Sequence, residues 1–427
     1  MPGNAKYATN GRPSVVIVGA ARTPVGVKCG SLCHFSAEDL AVLAGQEAIR
    51  RSGVPRENID AVVGANVYQF TAPGSQDIYF PRNIGLRCGL PTHAPGLMVQ
   101  RICGSGIQTV VNAFQQIALP PEIDDASIVL CVAGETMSRA PRILRTPRSA
   151  ANFWEFTGRN EEQSAEKPED TMLASLNHDL AQTTMMRTAD EYGGRVGVTR
   201  RECDEFAEAS HARARAAQRK SWMNGGDALR GIFALEDKDL TGRAVHLARD
   251  ECVRKTTLEV LEKLPGLTPN KLVTAGNASE IADGAGALLL ADRKAAEALG
   301  LAGRFEIVSY GVAGVEARVM GRGPVPAIQQ ALARAGLEQR EIGLWEINEA
   351  FAAQFLGVAK ELALDGETTN VNGGAIAIGH PLAATGLRLI VDLIFEMERR
   401  GVRYGCASAC IGGGQGVAVI VRDTKAA

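Results

Sequence analysis

The chain has 427 residues, 45% of them hydrophobic and 22% charged, with a formal net charge of −2; this is a soluble globular balance, long enough for two or three domains or one large duplicated one. A near-neutral chain does not carry a nucleic-acid surface over the whole molecule, although a local basic pocket for phosphates stays open. Nine cysteines scattered singly are not a disulfide framework, and no apolar run has the length of a membrane span, so a reducing compartment is expected, the cytoplasm by default with an organelle matrix still open.

The polar start, 1–13, lacks the apolar core of a secretory signal, and the tail, 423–427, carries no recognisable address. Residues 14–20 form a continuous apolar, β-branched run, the pattern of a strand covered on both faces. Ser36 with Glu38 and Asp39 opens a helix that runs to about Arg51. A strand over 59–67, a helix over 83–90, a helix beginning at Cys103 and a buried strand over 126–134 follow. Strands alternating with helices predict an α/β layered fold with a mostly parallel sheet.

From 138 to 195 the character changes, Arg-rich at first and then acidic through 160–170, without strand signals. It reads as an excursion from the sheet that covers a pocket or builds a subunit contact. A helix over 199–221 starts with a Thr199/Glu202 capping box, and His211 on its inner face reads as a packed residue rather than a ligand. The sheet pattern returns over 284–292.

The last third repeats that vocabulary: a strand over 305–312, helices over 324–335 and 350–364, a helix opened at His380 and running to Arg400, and strands over 406–409 and 417–421. Ser105-Gly106-Ile107 resembles Thr385-Gly386-Leu387, and 284–292 resembles 414–423 with one extra residue. Two copies of one sheet unit explain both matches, and related halves packed face to face would bring the Cys103 and His380 helix starts together.

Four polar groups sit among small residues or glycines. Cys103, in Cys103-Gly104-Ser105-Gly106 before an amphipathic run, reads as a thiol at the first turn of a helix, where free N–H groups and the dipole favour thiolate. Alone, a cysteine there is more often a packed residue. Asn348 is equally well an N-cap. His380 follows a glycine-rich loop, where a functional and a core histidine are evenly balanced. Cys410 precedes Gly412-Gly413-Gly414, which lets backbone approach a ligand or merely turns the chain. Cys406 with Cys410, and Cys29 with Cys33 and His34, lack the partners of a zinc site, so no metal is expected. Dinucleotide, phosphate-loop and Gly-x-Ser-x-Gly motifs are absent.

Together these segments resemble the thiolase family of acyl-CoA C-acyltransferases over nearly the whole chain. The matching segments are 19–24, Cys103-Gly104-Ser105-Gly106, 273–279, Asp283-Gly284-Ala285, Asn348-Glu349-Ala350-Phe351-Ala352, Gly379-His380-Pro381 and 410–416, in the family's order. The resemblance implies a duplicated α-β-α-β-α fold, with 1–137 and 251–293 as the first half, 138–250 as an inserted loop domain and 294–427 as the second half. It implies thiolytic cleavage of a 3-ketoacyl-CoA to acetyl-CoA and a shortened acyl-CoA, or the reverse Claisen condensation. Cys103 would carry the acyl group, His380 would be its base and Cys410 the acid/base toward the acetyl-CoA carbanion. His380 with an Asn348-held water would make one oxyanion hole, and the N–H groups of Cys103 and Gly412 the other.

Ser279, Met185 and Phe351 are the implied substrate and CoA contacts. Coenzyme A is implied as co-substrate with no permanently bound cofactor. A homodimer or homotetramer is expected, with room for a hydratase or dehydrogenase subunit and none for nucleic acid. Ala383, Thr184, Met186 and Glu280 depart from common family residues on the acyl/CoA side; they leave chain length open and do not support a short-chain specialist. A ketoacyl-synthase-type condensing enzyme and a non-catalytic acyl-CoA or lipid carrier of the same fold are the competing readings.

Overall fold

The run beginning at Val15 forms strand β1 (Val15–Arg22), buried almost throughout because sheet neighbours flank it and helices cover it. This is a computed structural model that describes residues 14–71, 76–143, 167–178, 181–219 and 231–426. The polar start, most of the acidic stretch 160–170 and the expected helix end at Ser221 lie outside the described residues.

Next come α1 (Ala37–Ser52), β2 (Ala61–Ala65), α2 (Phe80–Arg87), β3 (Gly96–Val99), α3 (Ser105–Ala118) and β4 (Ile128–Thr136). The predicted cap of α1 is present: Ser36 accepts from the Asp39 N–H and Asp39 accepts from Ser36. The excursion contains α4 (Thr171–Leu176), α5 (Met185–Arg195) and short strand pairs that composition did not reveal, and α6 (Arg200–Arg219) follows it. The Thr199/Glu202 box is made at the start of α6. His211 is buried, its Nδ1 accepting the Arg254 N–H at 3.4 Å, and burial lowers its pKa to about 4.

The chain then adds β5 (Ala282–Asp292), β6 (Phe305–Gly314), α7 (Pro324–Ala335), β7 (Leu344–Ile347), α8 (Ala352–Glu361), α9 (Leu382–Arg400), β8 (Tyr404–Ile411) and β9 (Gln415–Asp423).

The principal strand order is β7-β8-β9-β6-β1-β5-β4-β2-β3. Pairing along it is mostly antiparallel; only β2 with β3 and β4, and β7 with β8, run parallel. This corrects the expected mostly parallel sheet. Alternating strands and helices suggest parallel neighbours only if successive strands pair, whereas here β5 and β4 separate β1 from β2.

The order reads symmetrically outward from the β6–β1 junction, which consists of Val16 opposite Glu306 and Ile17 opposite Phe305. Each half even repeats a register shift, after Ile17 in β1 and after Ile307 in β6. One apolar core packs α1 against the first half-sheet, one packs α7 and α8 against the second, and the central one packs α3 and α9 between them. Five layers result, α-β-α-β-α. α9 is buried from 382 to 397, as a helix enclosed between two sheets must be, and it ends at Gly401 in the left-handed region (φ 66°).

The two central helices cross at the residues that the internal match pairs. A Cβ on Gly106 would lie 2.6 Å from the Ala383 oxygen and the Leu387 nitrogen, and one on Gly386 2.3 Å from the Ile107 nitrogen. Only glycine allows backbones this close, and the crossing brings the two helix starts to one place.

Candidate active site

Cys103 sits on a single 3₁₀ turn, Ile102–Gly104, that leads into α3. The turn is tied by Ser105 Oγ, which accepts the Arg101 N–H at 2.8 Å and donates to the Ile102 carbonyl at 2.7 Å. Gly104 is needed because a Cβ there would lie 2.6 Å from Ile411 Cδ1 at the end of β8. Burial pushes the Cys103 thiol up to about 12, against hydrogen bonds from the Gly412 and Cys103 N–H groups that favour thiolate, while the charge of Glu135 adds to the rise. Desolvation therefore outweighs the helix start, and the expected resting thiolate gives way to a thiol that needs a base.

His380 supplies an imidazole that is neutral in the resting protein. Burial, aided by the positive charge of Arg388, lowers its pKa to about 3. Its N–H donates to the Glu280 carbonyl at 2.9 Å, and the preceding Gly379 has φ 107°. The Thr385 hydroxyl donates to the Pro381 carbonyl (3.1 Å) and lies 2.6 Å from His380 Nδ1. With its one proton so used, Thr385 accepts from Nδ1–H, which leaves Nε2 as the ring's proton acceptor. Asn348 Nδ2 approaches that Nε2 at 3.3 Å. Asn348 Oδ1 is buried and has no protein hydrogen-bond partner among the described residues, so it is an acceptor facing the site rather than the N-cap that sequence left open.

Cys410 lies near the end of β8, opposite Gly416 of β9. Burial, and then the charge of Cys103, push its thiol above the ordinary cysteine range. It packs with Met185, Met320 and Ala350, with Phe351 against them. A Cβ on Gly412 would sit 3.3 Å from Met185 Sδ. Ser279 donates its N–H to the Ala350 carbonyl at 3.0 Å. Cys103, Gly412, Cys410, Met185 and Phe351 thus come together, His380 and Asn348 touch one another, and Ser279 joins the group through Ala350.

Two further residues of the site were missed. Glu135, at the end of β4, is fully buried; its carboxylate accepts N–H groups from Val67 (3.2 Å), Tyr68 (3.0 Å) and Ala383 (3.0 Å). Burial still raises its pKa to about 7. An acid directly after a buried strand run was the available signal. Thr385 entered the sequence reading only as half of a repeat, and its role in fixing the His380 tautomer needs the fold. Among the described residues no group of three or more His, Cys, Asp or Glu could hold a metal ion.

A thiol with backbone N–H donors on its sulfur, a second thiol within charge range and a neutral imidazole of fixed tautomer define a cysteine-nucleophile site on a duplicated α/β fold. The family model described as thiolase, N-terminal domain, matches residues 15–294, and that of the thiolase C-terminal domain matches 302–423. The chain is 41% identical to the mitochondrial 3-ketoacyl-CoA thiolase of Pongo abelii over 96% of its own length and 98% of that protein. It is 39% identical to an acetyl-CoA acetyltransferase of Cupriavidus necator, over 95% and 98%. The crystal structure of human mitochondrial 3-ketoacyl-CoA thiolase in complex with CoA superposes with a TM-score of 0.86 at 40% identity, covering 96% of this chain and 98% of that one. The chain belongs to the thiolase family.

Proposed function

We propose that the chain is an acyltransferase that cleaves 3-ketoacyl-CoA with coenzyme A, or runs the reverse condensation, through an acyl group on Cys103. The observation that carries this is the pairing of two thiols, Cys103 and Cys410: the charge of Cys103 raises the Cys410 thiol, and the Gly412 N–H hydrogen-bonds Cys103.

Cys103 Sγ adds to the C3 carbonyl as its proton passes to His380 Nε2. The C2–C3 bond breaks, and the electron pair left on C2 takes a proton from the Cys410 thiol to give acetyl-CoA. The proton on His380 restores Cys410. Coenzyme A, the co-substrate, then gives its thiol proton to His380; its sulfur takes the acyl group and Cys103 leaves with that proton. The N–H groups of Cys103 and Gly412 stabilise the oxyanion of acyl transfer, a term worth about 3 kcal/mol per donor. Asn348 and His380 serve the enolate oxygen of acetyl-CoA, and Ser279, Met185 and Phe351 line the substrate.

The division into 1–137 with 251–293, 138–250 and 294–427 is supported by the pairing of β1, β5 and β4 in one half-sheet and of β6, β9 and β8 in the other. A homo-oligomer formed on the free edge of β3, where Leu97 is exposed, fits the site's position one turn beyond that strand. A hydratase or dehydrogenase subunit is a further candidate partner. No helix among the described residues is long and apolar enough to cross a membrane. Nine free cysteines support a reducing compartment, proposed as the cytoplasm; mitochondrial relatives make a matrix the competing one, and fractionation of the source cells separates the two.

The deciding experiment is a thiolysis assay with acetoacetyl-CoA and longer 3-ketoacyl-CoAs, with intact-mass detection of acyl-Cys103. Wild type turns over and acylates; Cys103→Ala does neither. Cys410→Ala acylates from acyl-CoA but loses condensation by about 10²–10⁴-fold, the range for removing a general acid/base. Normal turnover by Cys103→Ala would sink the reading.

A further inference from the structure

Cys103 itself packs into a second apolar group, separate from the one around Cys410. Tyr68, Met137, Met172 and Leu382 are buried together there, with Cys103 against them. An acyl group bonded to Cys103 Sγ starts against these packed side chains, so they bound the chain that can grow from the thiol.

One wall is held at both ends. The Tyr68 N–H donates to Glu135, the carboxylate that also holds Ala383 of α9, so its backbone is fixed to the end of the first half-sheet and to the His380 helix. At its other end the Tyr68 hydroxyl lies 2.5 Å from Ser175 Oγ on α4. Ser175 spends its own proton on the Met172 carbonyl at 2.9 Å, which leaves the phenol to donate. Tyr68 is 4% exposed, whereas Ser175 is exposed. The ring therefore runs from the group that the half-buried Cys103 packs against to the exposed Ser175. Burial, opposed by the Ser175 hydrogen bond and aided by the charges of Glu135 and Cys103, raises the phenol to about 12, so it stays protonated.

An aromatic ring fixed at both ends cannot yield as a free methionine does. Each further methylene of an acyl chain gains binding only where apolar room exists. Resting on the thiolase reading, we infer that Tyr68, tethered to Ser175, is the stop that sets acyl chain length on Cys103, a specificity-determining residue that favours shorter 3-ketoacyl-CoAs. Replacing the ring by a shorter apolar side chain opens the wall outward along the line to Ser175.

The test compares wild type, Tyr68→Leu and Ser175→Ala in two assays. The first is the ratio of kcat/KM for 3-ketododecanoyl-CoA to that for acetoacetyl-CoA. The second needs no turnover: the rate at which N-octylmaleimide, relative to N-methylmaleimide, modifies Cys103, read by peptide mass spectrometry. Tyr68→Leu raises both ratios about 10-fold or more, the usual worth of a methylene or more of apolar room, and Ser175→Ala raises them less because the ring stays and only its tether is lost. Ratios unchanged in Tyr68→Leu overturn the stop even if thiolysis proceeds; should that variant not fold, unchanged ratios in Ser175→Ala do so. A shift in the maleimide ratio without thiolysis by wild type keeps the stop and removes the thiolase reading.

Discussion

The helices α3 and α9 hold equivalent places in the two halves and cross at matching glycines, yet their N-termini are finished differently. The N-cap of α3 makes no side-chain hydrogen bond to its first turn. That leaves the N–H of Cys103 and the facing N–H of Gly412 directed at a sulfur. At α9, Glu135 crosses from the other half to accept the Ala383 N–H, and Thr385 within the first turn fixes the imidazole. One helix start keeps donors for a reacting atom, and the other uses them to hold a base still. Duplication thus supplied two similar helix starts, and single residues divided the work between them.

The largest break in that division comes from His380→Gln, which removes the base and keeps a side chain of similar reach. Acyl-Cys103 formation falls by about 10³-fold, and Cys103 alkylation in wild type keeps rising with pH well above the ordinary cysteine range, with no plateau between pH 6 and 8. A plateau there would mean that a thiolate–imidazolium pair is the resting state.

A middle-sized effect falls on the crossing itself. Gly386→Ala sets a methyl against backbone at 2.3 Å and lowers unfolding free energy by about 1–3 kcal/mol, the usual cost of overpacking. The same change at Gly336, where a Cβ would meet nothing within 4 Å but φ is 68°, costs only its backbone strain. Denaturant melts of the two variants separate contact from conformation.

The smallest effect is on Glu135. Its pKa is raised in the fold to about 7 from an ordinary 4.5, so its contribution to stability is fully present below the ordinary value and is lost as pH rises through the folded one. Glu135→Gln gives up an acceptor, at a cost of about 1 kcal/mol at pH 5, and the gap to wild type narrows toward pH 8. A gap independent of pH would show that the carboxyl does not titrate there.

Cys103, Asn348, His380 and Cys410 were legible in the sequence because each lies in a loop of glycines or small residues, a local signal. Glu135 and Tyr68 were not, since their partners lie far away in sequence: Glu135 is defined by Ala383, and Tyr68 by Ser175. Strand positions such as β6 and β9 were readable from apolar runs, but direction was not, because alternation and burial look the same whichever way a neighbouring strand runs. The state of the Cys103 thiol was misjudged because the helix start is local and visible, whereas the burial that outweighs it comes from both halves.

The place of β5 also decides when this protein can be built. It lies between β1 and β4 in the first half-sheet, yet the ribosome makes it only after the whole covering segment has emerged. Until residue 292 is out, β1 and β4 have no common neighbour, and their apolar faces wait exposed. The wait costs little in closure entropy, which grows only with the logarithm of loop length, but much in time spent open to aggregation. The second half-sheet, between 305 and 423, closes from its own consecutive chain, with no inserted segment to wait for.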